Sequence, residues 1–157
     1  MIRFSVSLLE KQNIELEGSE PASLLEIEES ELFRVTDPVS YRLLARRISG
    51  GVLVTGCVRT AVAGICGRCL EPAAQEVTAG EVELFYENPE GEELDITEDV
   101  RAELLLEMPM NLLCGEDCAG LCPGCGVNLN RERCRCEKSG DDPDSPWGAL
   151  DALKFQP

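Results

Sequence analysis

The sequence contains no histidine among its 157 residues. This absence removes the imidazole base that serine and cysteine nucleophiles commonly use, so we expect no hydrolase of that type and no enzymatic activity. It also removes the nitrogen ligand of mixed zinc sites. Any transition-metal site must therefore be built almost wholly from sulfur, which favours Zn²⁺ or an iron–sulfur cluster.

Long apolar runs are also absent, because no stretch approaches the roughly 18 residues that a membrane-spanning helix needs. The first eight residues alternate apolar and polar side chains and lack the apolar run of a signal peptide. We therefore expect a cytoplasmic protein with no membrane partner. In a reducing cytosol, clustered thiols bind metal more often than they form disulfides.

Basic residues are scarce, with 14 Lys and Arg against 30 Asp and Glu and a formal net charge of −16. Such a charge repels nucleic-acid phosphates, so we expect no nonspecific attachment and no DNA partner. The charge is banded: five arginines and no acid lie in residues 39–70, whereas acids dominate residues 71–113. The glutamates of the second band predict a solvated face rather than a catalytic acid/base pair.

Short segments of alternating apolar residues, bounded by turn formers, predict mostly strands. Strands are expected at residues 2–8, 14–16, 32–35, 39–45, 52–58 and 82–86, the first two forming a hairpin. One helix is expected near residues 98–108, with Asp95 or Thr97 as N-cap and Pro109 just past its end. A second short helix is expected between Trp147 and Phe155.

These elements predict an α+β fold, mainly an antiparallel β-sheet or small barrel with one or two helices and a cysteine-rich zinc-knuckle C-terminal region. The expected division is a β-rich core over residues 1–113, a zinc-binding segment over 114–136, and a linker with the short helix over 137–157. A length of 157 residues suits one such domain.

Nine cysteines carry most of the functional argument. Tight Cys-x2-Cys turns direct two thiolates to one ion. The first predicted site consists of Cys122, Cys125, Cys134 and Cys136. The second consists of Cys66, Cys69, Cys114 and Cys118. We expect one or two structural Zn²⁺ ions, since a site closed by four sulfurs leaves no position for a reactive water.

Three alternatives concern these cysteines. Because Cys114, Cys118 and Cys122 are equally spaced, the sequence does not choose among their pairings, and Cys66 and Cys69 could instead be a pair of buried thiols. The spacing Cys118-x3-Cys122-x2-Cys125 also occurs in radical enzymes that use S-adenosylmethionine, but the chain lacks the length and the strand–helix alternation of their barrels. The ninth cysteine, Cys57, is expected in the core of a strand.

Two groups of arginines are candidates for RNA binding, since guanidinium groups bind phosphate bidentately. Arg131, Arg133 and Arg135 lie on the loop of the first site. Arg46, Arg47 and Arg68 lie in the acid-free band. Asn128 and Asn130 are candidates for contacts with base edges. The alternative is that these arginines pair with neighbouring carboxylates.

Two cysteine motifs resemble the YceD family of bacterial proteins, which has relatives in plant organelles. They are Cys66-Gly-Arg-Cys-Leu-Glu-Pro72 and the run from Cys114 to Asn130, and the segments 104–109 and 144–154 are similar too. The resemblance implies a role in accumulation of large-subunit ribosomal RNA, and hence ribosome assembly, with no established enzymatic activity. It also implies that the site at Cys122 is a staple that some family members lack.

Our leading hypothesis is therefore a non-enzymatic factor for accumulation of 23S rRNA and biogenesis of the large ribosomal subunit. Its expected partner is a large-subunit rRNA precursor or a basic ribosomal or assembly protein. A second hypothesis is a thiol-based redox or zinc-responsive regulatory protein, whose cysteines release metal upon oxidation. A third is a zinc-dependent module associated with transcription.

Overall fold

The computed structural model describes residues 1–89 and 91–136. The strands are β1 (Arg3–Ser5), β2 (Ile14–Glu20), β3 (Phe33–Val35), β4 (Val39–Ile48), β5 (Gly51–Ile65), β6 (Pro72–Glu87) and β7 (Glu93–Asp95), and the helix is α1 (Thr97–Leu106). Two short 3-10 helices span Val6–Glu10 and Ala22–Leu25. The predicted α+β class is confirmed. None of the helices in these two ranges is long and apolar enough to cross a membrane.

Strand β5 is the centre of the main sheet, in which all pairings are antiparallel. Strand β6 pairs with β5 from Gly51 to Ile65, so β3 and β4 share the opposite edge of β5. Strand β2 pairs with the outer edge of β4. The described residues form an open sheet that is not closed on itself. Of the two predicted forms, the antiparallel sheet is therefore confirmed and the small barrel is wrong.

One face of this sheet is buried because apolar residues recur at every second position. In β5 the side chains of Val52, Val54, Val58 and Val62 are 0% exposed. The residues that cover this face come from the N-terminal segment, the second 3-10 helix and α1, and they include Phe4, Val6, Leu9, Leu25, Val100 and Leu104. The core therefore lies between the sheet and these covering segments. Burial of each such side chain contributes roughly 1.5 to 3 kcal/mol to folding.

A β-bulge interrupts β6 where Cys57 of β5 faces both Gly80 and Glu81. Before the bulge, the buried residues of β6 have odd numbers, as Val77 and Ala79 do; after it, Val82 is buried. The extra residue shifts the alternation by one position, which keeps the apolar side chains on the core face. Only residues 82–86 were predicted as a strand because this shift breaks the alternation.

The predicted hairpin between residues 2–8 and 14–16 is wrong. Strand β1 pairs with β7, and the chain then enters the 3-10 helix Val6–Glu10. In this tighter helix residues three apart lie on one side. Val6 and Leu9 are consequently buried, whereas Leu8 is 50% exposed.

The N-cap of helix α1 is Ile96, so neither Asp95 nor Thr97 holds the predicted position. The Asp95 carboxylate accepts hydrogen bonds from the N–H and hydroxyl groups of Thr97, the first residue of the helix. Val100 and Leu104 are buried against the sheet. The helix ends before Pro109 and leads the chain to Cys114. The expected helix from Trp147 to Phe155 and the segment 137–157 lie outside the described residues.

Candidate metal centres

The connection between β5 and β6 is a tight turn that starts at Cys66. Its N–H group donates to the carbonyl oxygen of Glu71 at 2.8 Å, and its own carbonyl accepts from Leu70 N–H at 3.0 Å. The turn at Cys122 has the same bonds: Cys122 N–H donates to Val127 at 2.8 Å, and Gly126 N–H donates to Cys122 at 2.8 Å. The same turn therefore occurs twice in the chain. We call residues 66–71, between β5 and β6, the sheet knuckle, and residues 122–127, in the loop after α1, the loop knuckle.

In both knuckles the backbone donates to sulfur. The N–H of Arg68 lies 3.4 Å from Cys66 Sγ, and the N–H of Gly124 lies 3.4 Å from Cys122 Sγ. Donors directed at a sulfur favour its thiolate form, which is the form that binds metal. Such a turn can present two thiolates to one ion.

The eight clustered cysteines lie in two groups. We call Cys66, Cys69, Cys114 and Cys118 the sheet cluster, and Cys122, Cys125, Cys134 and Cys136 the loop cluster. In each group the four Sγ atoms all lie within 4.8 Å of one another. The structure thus brings together the two sets that the sequence analysis assigned to separate sites. Either cluster could hold a metal ion.

The sheet cluster has the spacing of a tetrahedral sulfur site. With a Zn–S bond of about 2.3 Å, the edge of such a tetrahedron is about 3.8 Å. The Sγ atoms of Cys66 and Cys118 are 3.8 Å apart, and those of Cys69 and Cys114 are 3.6 Å apart. These two edges match those of a tetrahedral site, and the four sulfurs could hold an ion between them.

The loop cluster is more compressed on one side. Cys122 Sγ lies 3.5 Å from Cys136 Sγ, and Cys125 Sγ lies 3.6 Å from Cys134 Sγ. The Sγ atoms of Cys134 and Cys136 are only 2.7 Å apart. This pair, which has the unusual single-residue spacing, must separate by about 1 Å to form a tetrahedral edge.

The thiols of the sheet cluster have divergent proton affinities. Burial opposes ionisation of Cys66, but the N–H groups of Arg68 and Cys69 outweigh it and lower its pKa to about 6. Contact with the sulfurs of Cys118 and Cys69 raises the pKa of Cys114 to about 12. Four adjacent thiolates repel one another unless a cation compensates them, and a coordinating metal deprotonates thiols outright.

The loop cluster shows the same divergence. The thiol of Cys134, followed by the N–H groups of Cys125 and Gly124, lowers the pKa of Cys122 to about 6. Contact with Cys134 and Cys122 raises the pKa of Cys136 to about 12. The donor set therefore fits a thiophilic divalent cation in both places.

The two clusters differ in burial. Cys66 is 0% exposed, and Cys69 and Cys118 are buried with it in the hydrophobic core. In the loop cluster only Cys122 is buried, while Cys125 is exposed. The sheet cluster connects the β5–β6 turn to the segment that follows α1, so an ion there would join distant parts of the chain. The loop cluster closes only its own segment.

The predicted RNA-binding arginines fall into two classes. Arg131 forms an ion pair with Glu71 at 2.9 Å, and Arg68 donates to the carbonyl oxygens of Glu116 and Cys118 at 3.2 Å each. These two are engaged within the protein, as the alternative interpretation expected. Within residues 1–89 and 91–136, the structure shows no ion pair for the exposed residues Arg46, Arg47, Arg133 and Arg135.

Asn128 and Asn130 use their amide groups inside the protein. Asn130 Oδ1 accepts from Ala119 N–H at 2.8 Å, and its Nδ2 donates to Asn128 Oδ1 at 3.0 Å and to Cys118 Sγ at 3.4 Å. This last bond lowers the pKa of the Cys118 thiol. The contacts give both asparagines a structural role in the loop.

Sequence reasoning missed two residues that hold this region together. Glu71 was placed only within a motif, yet its carboxylate accepts a hydrogen bond from Arg131. Asn130 was assigned to base contacts instead of to Cys118. No spacing rule predicts either contact, since both join residues far apart in the sequence. Cys57, expected in the core, is half-buried beside the bulge, on the face opposite to the buried valines.

With this geometry in view, we compared the chain with known proteins. The family model described as large ribosomal RNA subunit accumulation protein YceD matches residues 81–154, which include six of the eight clustered cysteines. The match covers 74 of the 157 residues, so the chain is similar to the YceD family over slightly less than half of its length. No solved structure matches the chain.

Three relatives illustrate the similarity. An uncharacterized protein of Mycobacterium tuberculosis is 37% identical over 105 residues, covering 57% of this chain and 51% of the relative. A protein of Arabidopsis thaliana named large ribosomal RNA subunit accumulation protein YCED homolog 1, chloroplastic, is 35% identical over 68 residues, covering 43% of this chain and 21% of the relative. The Zea mays protein of that name is 27% identical over 143 residues, covering 64% and 49%. The chain spans about half the length or less of these relatives.

Proposed function

We propose that this protein is a non-enzymatic factor in biogenesis of the large ribosomal subunit, where it supports accumulation of 23S rRNA in the cytoplasm. The observation that carries the proposal is the YceD match over residues 81–154. Two plant relatives are named for large ribosomal RNA subunit accumulation. The cysteine clusters supply the structural part of the argument.

The ion in each cluster is Zn²⁺ in this proposal. Four thiolates at tetrahedral spacing suit zinc, and a site closed by four sulfurs is structural because it leaves no ligand position for water. The spacings of 3.8 Å and 3.6 Å in the sheet cluster support this assignment. Metal binding would stabilise the segment 114–136, which contains little regular secondary structure of its own.

The proposed RNA contacts are Arg133 and Arg135. Both are exposed on the loop cluster and line a shallow depression with Cys125 and Glu132. A loop fixed by metal presents guanidinium groups at low entropic cost, which suits bidentate contact with phosphate. Arg46 and Arg47 are further candidate contacts on β4, where consecutive side chains point to opposite faces of the sheet. Arg68 and Arg131 remain in the proposal as positioning residues for the loop.

UV crosslinking in the protein's own cells, followed by sequencing of the attached RNA, tests this proposal. We expect crosslinks in large-subunit precursor RNA. The double reversal Arg133→Glu with Arg135→Glu should reduce crosslinking by more than tenfold. The matched control is Lys11→Glu with Arg34→Glu, which makes the same charge change at exposed positions outside the clusters.

Two outcomes would contradict direct RNA contact. The first is an equal loss of crosslinks in both double variants, which would indicate a general field effect of net charge. The second is recovery of the protein on large-subunit precursors without any RNA crosslink. In that case a basic ribosomal or assembly protein is the partner, and the acidic residues 71–113 are the surface to examine.

A second candidate function, a thiol-based redox or zinc-responsive regulator, is favoured by the loop cluster. Its Cys134 and Cys136 sulfurs are 2.7 Å apart, and Cys125 is exposed. Peroxide would oxidise two thiols to a disulfide, with reduction of the peroxide to two waters and release of the ion. Release of one Zn²⁺ at low peroxide, reversed by a thiol reductant, would support regulation; retention of both ions would contradict it.

A further inference from the structure

Between Cys125 and Cys134 lies a short loop that contacts the sheet cluster. Asn130, in the middle of this loop, donates to Cys118 Sγ at 3.4 Å and accepts from Ala119 N–H at 2.8 Å. Asn130 lies between two cysteines of the loop cluster and thus positions Cys118, a cysteine of the sheet cluster. Both contacts depend on the loop having this one conformation.

A second connection passes through Glu71. Its carboxylate accepts hydrogen bonds from Arg131 Nη2 at 2.9 Å and from Asn128 Nδ2 at 3.5 Å, and both donors belong to the loop between Cys125 and Cys134. Glu71 follows Cys69 of the sheet cluster by two residues in the turn between β5 and β6. The loop therefore contacts both halves of the sheet cluster: the turn between β5 and β6 through Glu71, and the segment after α1 through Cys118.

Backbone bonds complete the junction. Leu121 N–H donates to the carbonyl oxygen of Arg68 at 3.0 Å, and Leu129 N–H donates to that of Gly120 at 2.9 Å. The side chain of Arg68 donates to the carbonyl oxygen of Cys118 at 3.2 Å. These bonds place the two knuckles in fixed positions relative to each other.

We propose that the two clusters bind metal cooperatively, with Asn130 as the positioning residue that transmits loading of the loop cluster to the sheet cluster. The inference rests on the metal binding proposed above but not on any contact with RNA. An ion in the loop cluster joins Cys125 to Cys134 and thereby restricts the loop between them. The entropy cost of holding Asn130 against Cys118 is then already met when the second ion binds to the sheet cluster. Ordering by the first ion therefore makes the second binding event more favourable.

Two physical arguments fix the size and symmetry of the effect. Outer hydrogen-bond partners of metal ligands typically change affinity about 10- to 100-fold. Linkage requires the coupling to be reciprocal, so loading of the sheet cluster must strengthen the loop cluster by the same factor. Two clusters that bind metal independently would show no reciprocal effect of one on the affinity of the other.

The test uses Co²⁺ as an absorbing probe, added anaerobically to the full chain in competition with a chelator. The decisive variant is Asn130→Asp, which keeps the acceptor for Ala119 N–H but replaces the donor to Cys118 with a carboxylate. We expect Co²⁺ affinity at the sheet cluster to fall about 10- to 100-fold. The matched control, Asn13→Asp, makes the same change at an exposed position before β2 and should leave both affinities unchanged.

Removal of one cluster at a time tests reciprocity. The variant Cys125→Ser with Cys134→Ser should weaken the sheet cluster, and Cys66→Ser with Cys69→Ser should weaken the loop cluster by an equal factor. Circular dichroism checks that the sheet persists. If the second variant does not fold because Cys66 belongs to the core, the first variant decides, because it removes the loop cluster and leaves all four cysteines of the sheet cluster in place.

The possible outcomes separate this inference from the proposed function. Two bound Co²⁺ ions, with sheet-cluster affinity in Asn130→Asp within twofold of wild type, would overturn cooperativity while leaving the zinc assignment intact. Failure of the wild-type chain to bind Co²⁺ or Zn²⁺ would overturn the metal assignment, and the inference with it. Loss of sheet-cluster affinity in Asn130→Asp but not in Asn13→Asp supports the coupling.

Discussion

Leu70 and Gly126 occupy the same position in two turns that share the same hydrogen bonds. Each residue donates its N–H to the carbonyl of the first cysteine of its knuckle, and each has a positive φ, 60° at Leu70 and 74° at Gly126. Glycine adopts this conformation without steric cost, whereas a residue with Cβ does not. The sheet knuckle therefore contains a strained leucine where the loop knuckle has a glycine.

Replacement of Leu70 by glycine should stabilise the protein. The gain from relief of the left-handed conformation, roughly 1 to 2 kcal/mol, exceeds the extra backbone entropy of glycine in the unfolded chain, about 0.4 to 1 kcal/mol. Little packing is lost because Leu70 is 63% exposed. We expect the free energy of unfolding, measured in urea with metal present, to rise by about 0.5 to 1 kcal/mol.

The reciprocal change, Gly126→Ala, should cost about 1 kcal/mol, although no atom lies within 4 Å of the added Cβ. Gly115→Ala is its control, since that position also has open space but no positive φ. The control should be unchanged or slightly more stable. Equal effects at Gly115 and Gly126 would show that backbone conformation is not the cause.

Metal content should be two ions per chain. Native mass spectrometry of protein purified anaerobically should show two Zn²⁺ ions, and Cys122→Ser should reduce the number to one. Cys57→Ser is the matched control, because Cys57 lies outside both clusters. Loss of an ion from the Cys57 variant, or a single ion in the wild type, would contradict the assignment.

Metal removal should destabilise the two regions unequally. The sheet cluster joins the β5–β6 turn to the segment after α1, and three of its cysteines are in the core. Chelation should therefore lower the midpoint of thermal unfolding of the whole chain in the loop-cluster variant Cys125→Ser, which retains only the sheet cluster. The measurement is circular dichroism at the β-sheet wavelength, before and after chelator. An unchanged midpoint would show that the sheet cluster does not stabilise the core.

Local patterns in the sequence predicted the central part of this architecture. Alternation identified the buried face of β4, and the N-cap and proline signals placed α1 within two residues of its observed ends. The spacing of the cysteines predicted the two knuckles, because a Cys-x2-Cys turn brings together two thiols that are only three residues apart. Each of these predictions depends on neighbours in the sequence.

The features that the sequence did not predict depend on long-range pairing. Strand β1 pairs with β7, about 90 residues away, and Arg3 faces Asp95 across this ladder. Asn130 reaches Cys118 only after two knuckles are folded against each other. The first half of β6 was missed because a bulge reverses its alternation at Gly80. None of these contacts leaves a periodic signal.

Asp95 should contribute acid-dependent stability. Hydrogen bonds from Thr97 and the guanidinium of Arg3 lower the pKa of Asp95 to about 2 from its ordinary value of 3.8. Because the folded-state value is the lower one, the contribution is complete above about pH 4 and is lost as the pH falls towards 2. Its size is about 1 kcal/mol, since solvent screens a carboxylate that is 42% exposed.

The variant Asp95→Asn should therefore be less stable than wild type at pH 6, and the difference should shrink as the pH falls from 4 to 2. Urea unfolding at several pH values measures this. Asp37→Asn is the control, because the described part of the structure shows no hydrogen bond to the Asp37 carboxylate. A pH-independent difference for Asp95→Asn would show that the charge is not responsible.

Single-residue deletions in β6 should separate the bulge from the regular strand. Deletion of Gly80 removes the extra residue opposite Cys57, so that Ala79 and Val82 stay buried in a strand of uninterrupted alternation. Deletion of Glu83 instead either turns Glu81 towards the core or exchanges the faces of Leu84 and Phe85. An unpaired carboxylate in the core costs about 3 to 5 kcal/mol.

We therefore expect the Gly80 deletion to fold with a modest loss of stability and the Glu83 deletion to be the less stable of the two, with a loss of about 3 kcal/mol or more where Glu81 enters the core. Urea unfolding followed by circular dichroism distinguishes the two. The same comparison bears on the candidate metal centres, because β6 begins immediately after the sheet knuckle. If Zn²⁺ holds that knuckle to the segment after α1, the Gly80 deletion should still bind two ions. If both deletions destabilise the protein equally, the fold requires the bulge itself. In that case a continuous alternation of buried and exposed residues in β6 is not sufficient.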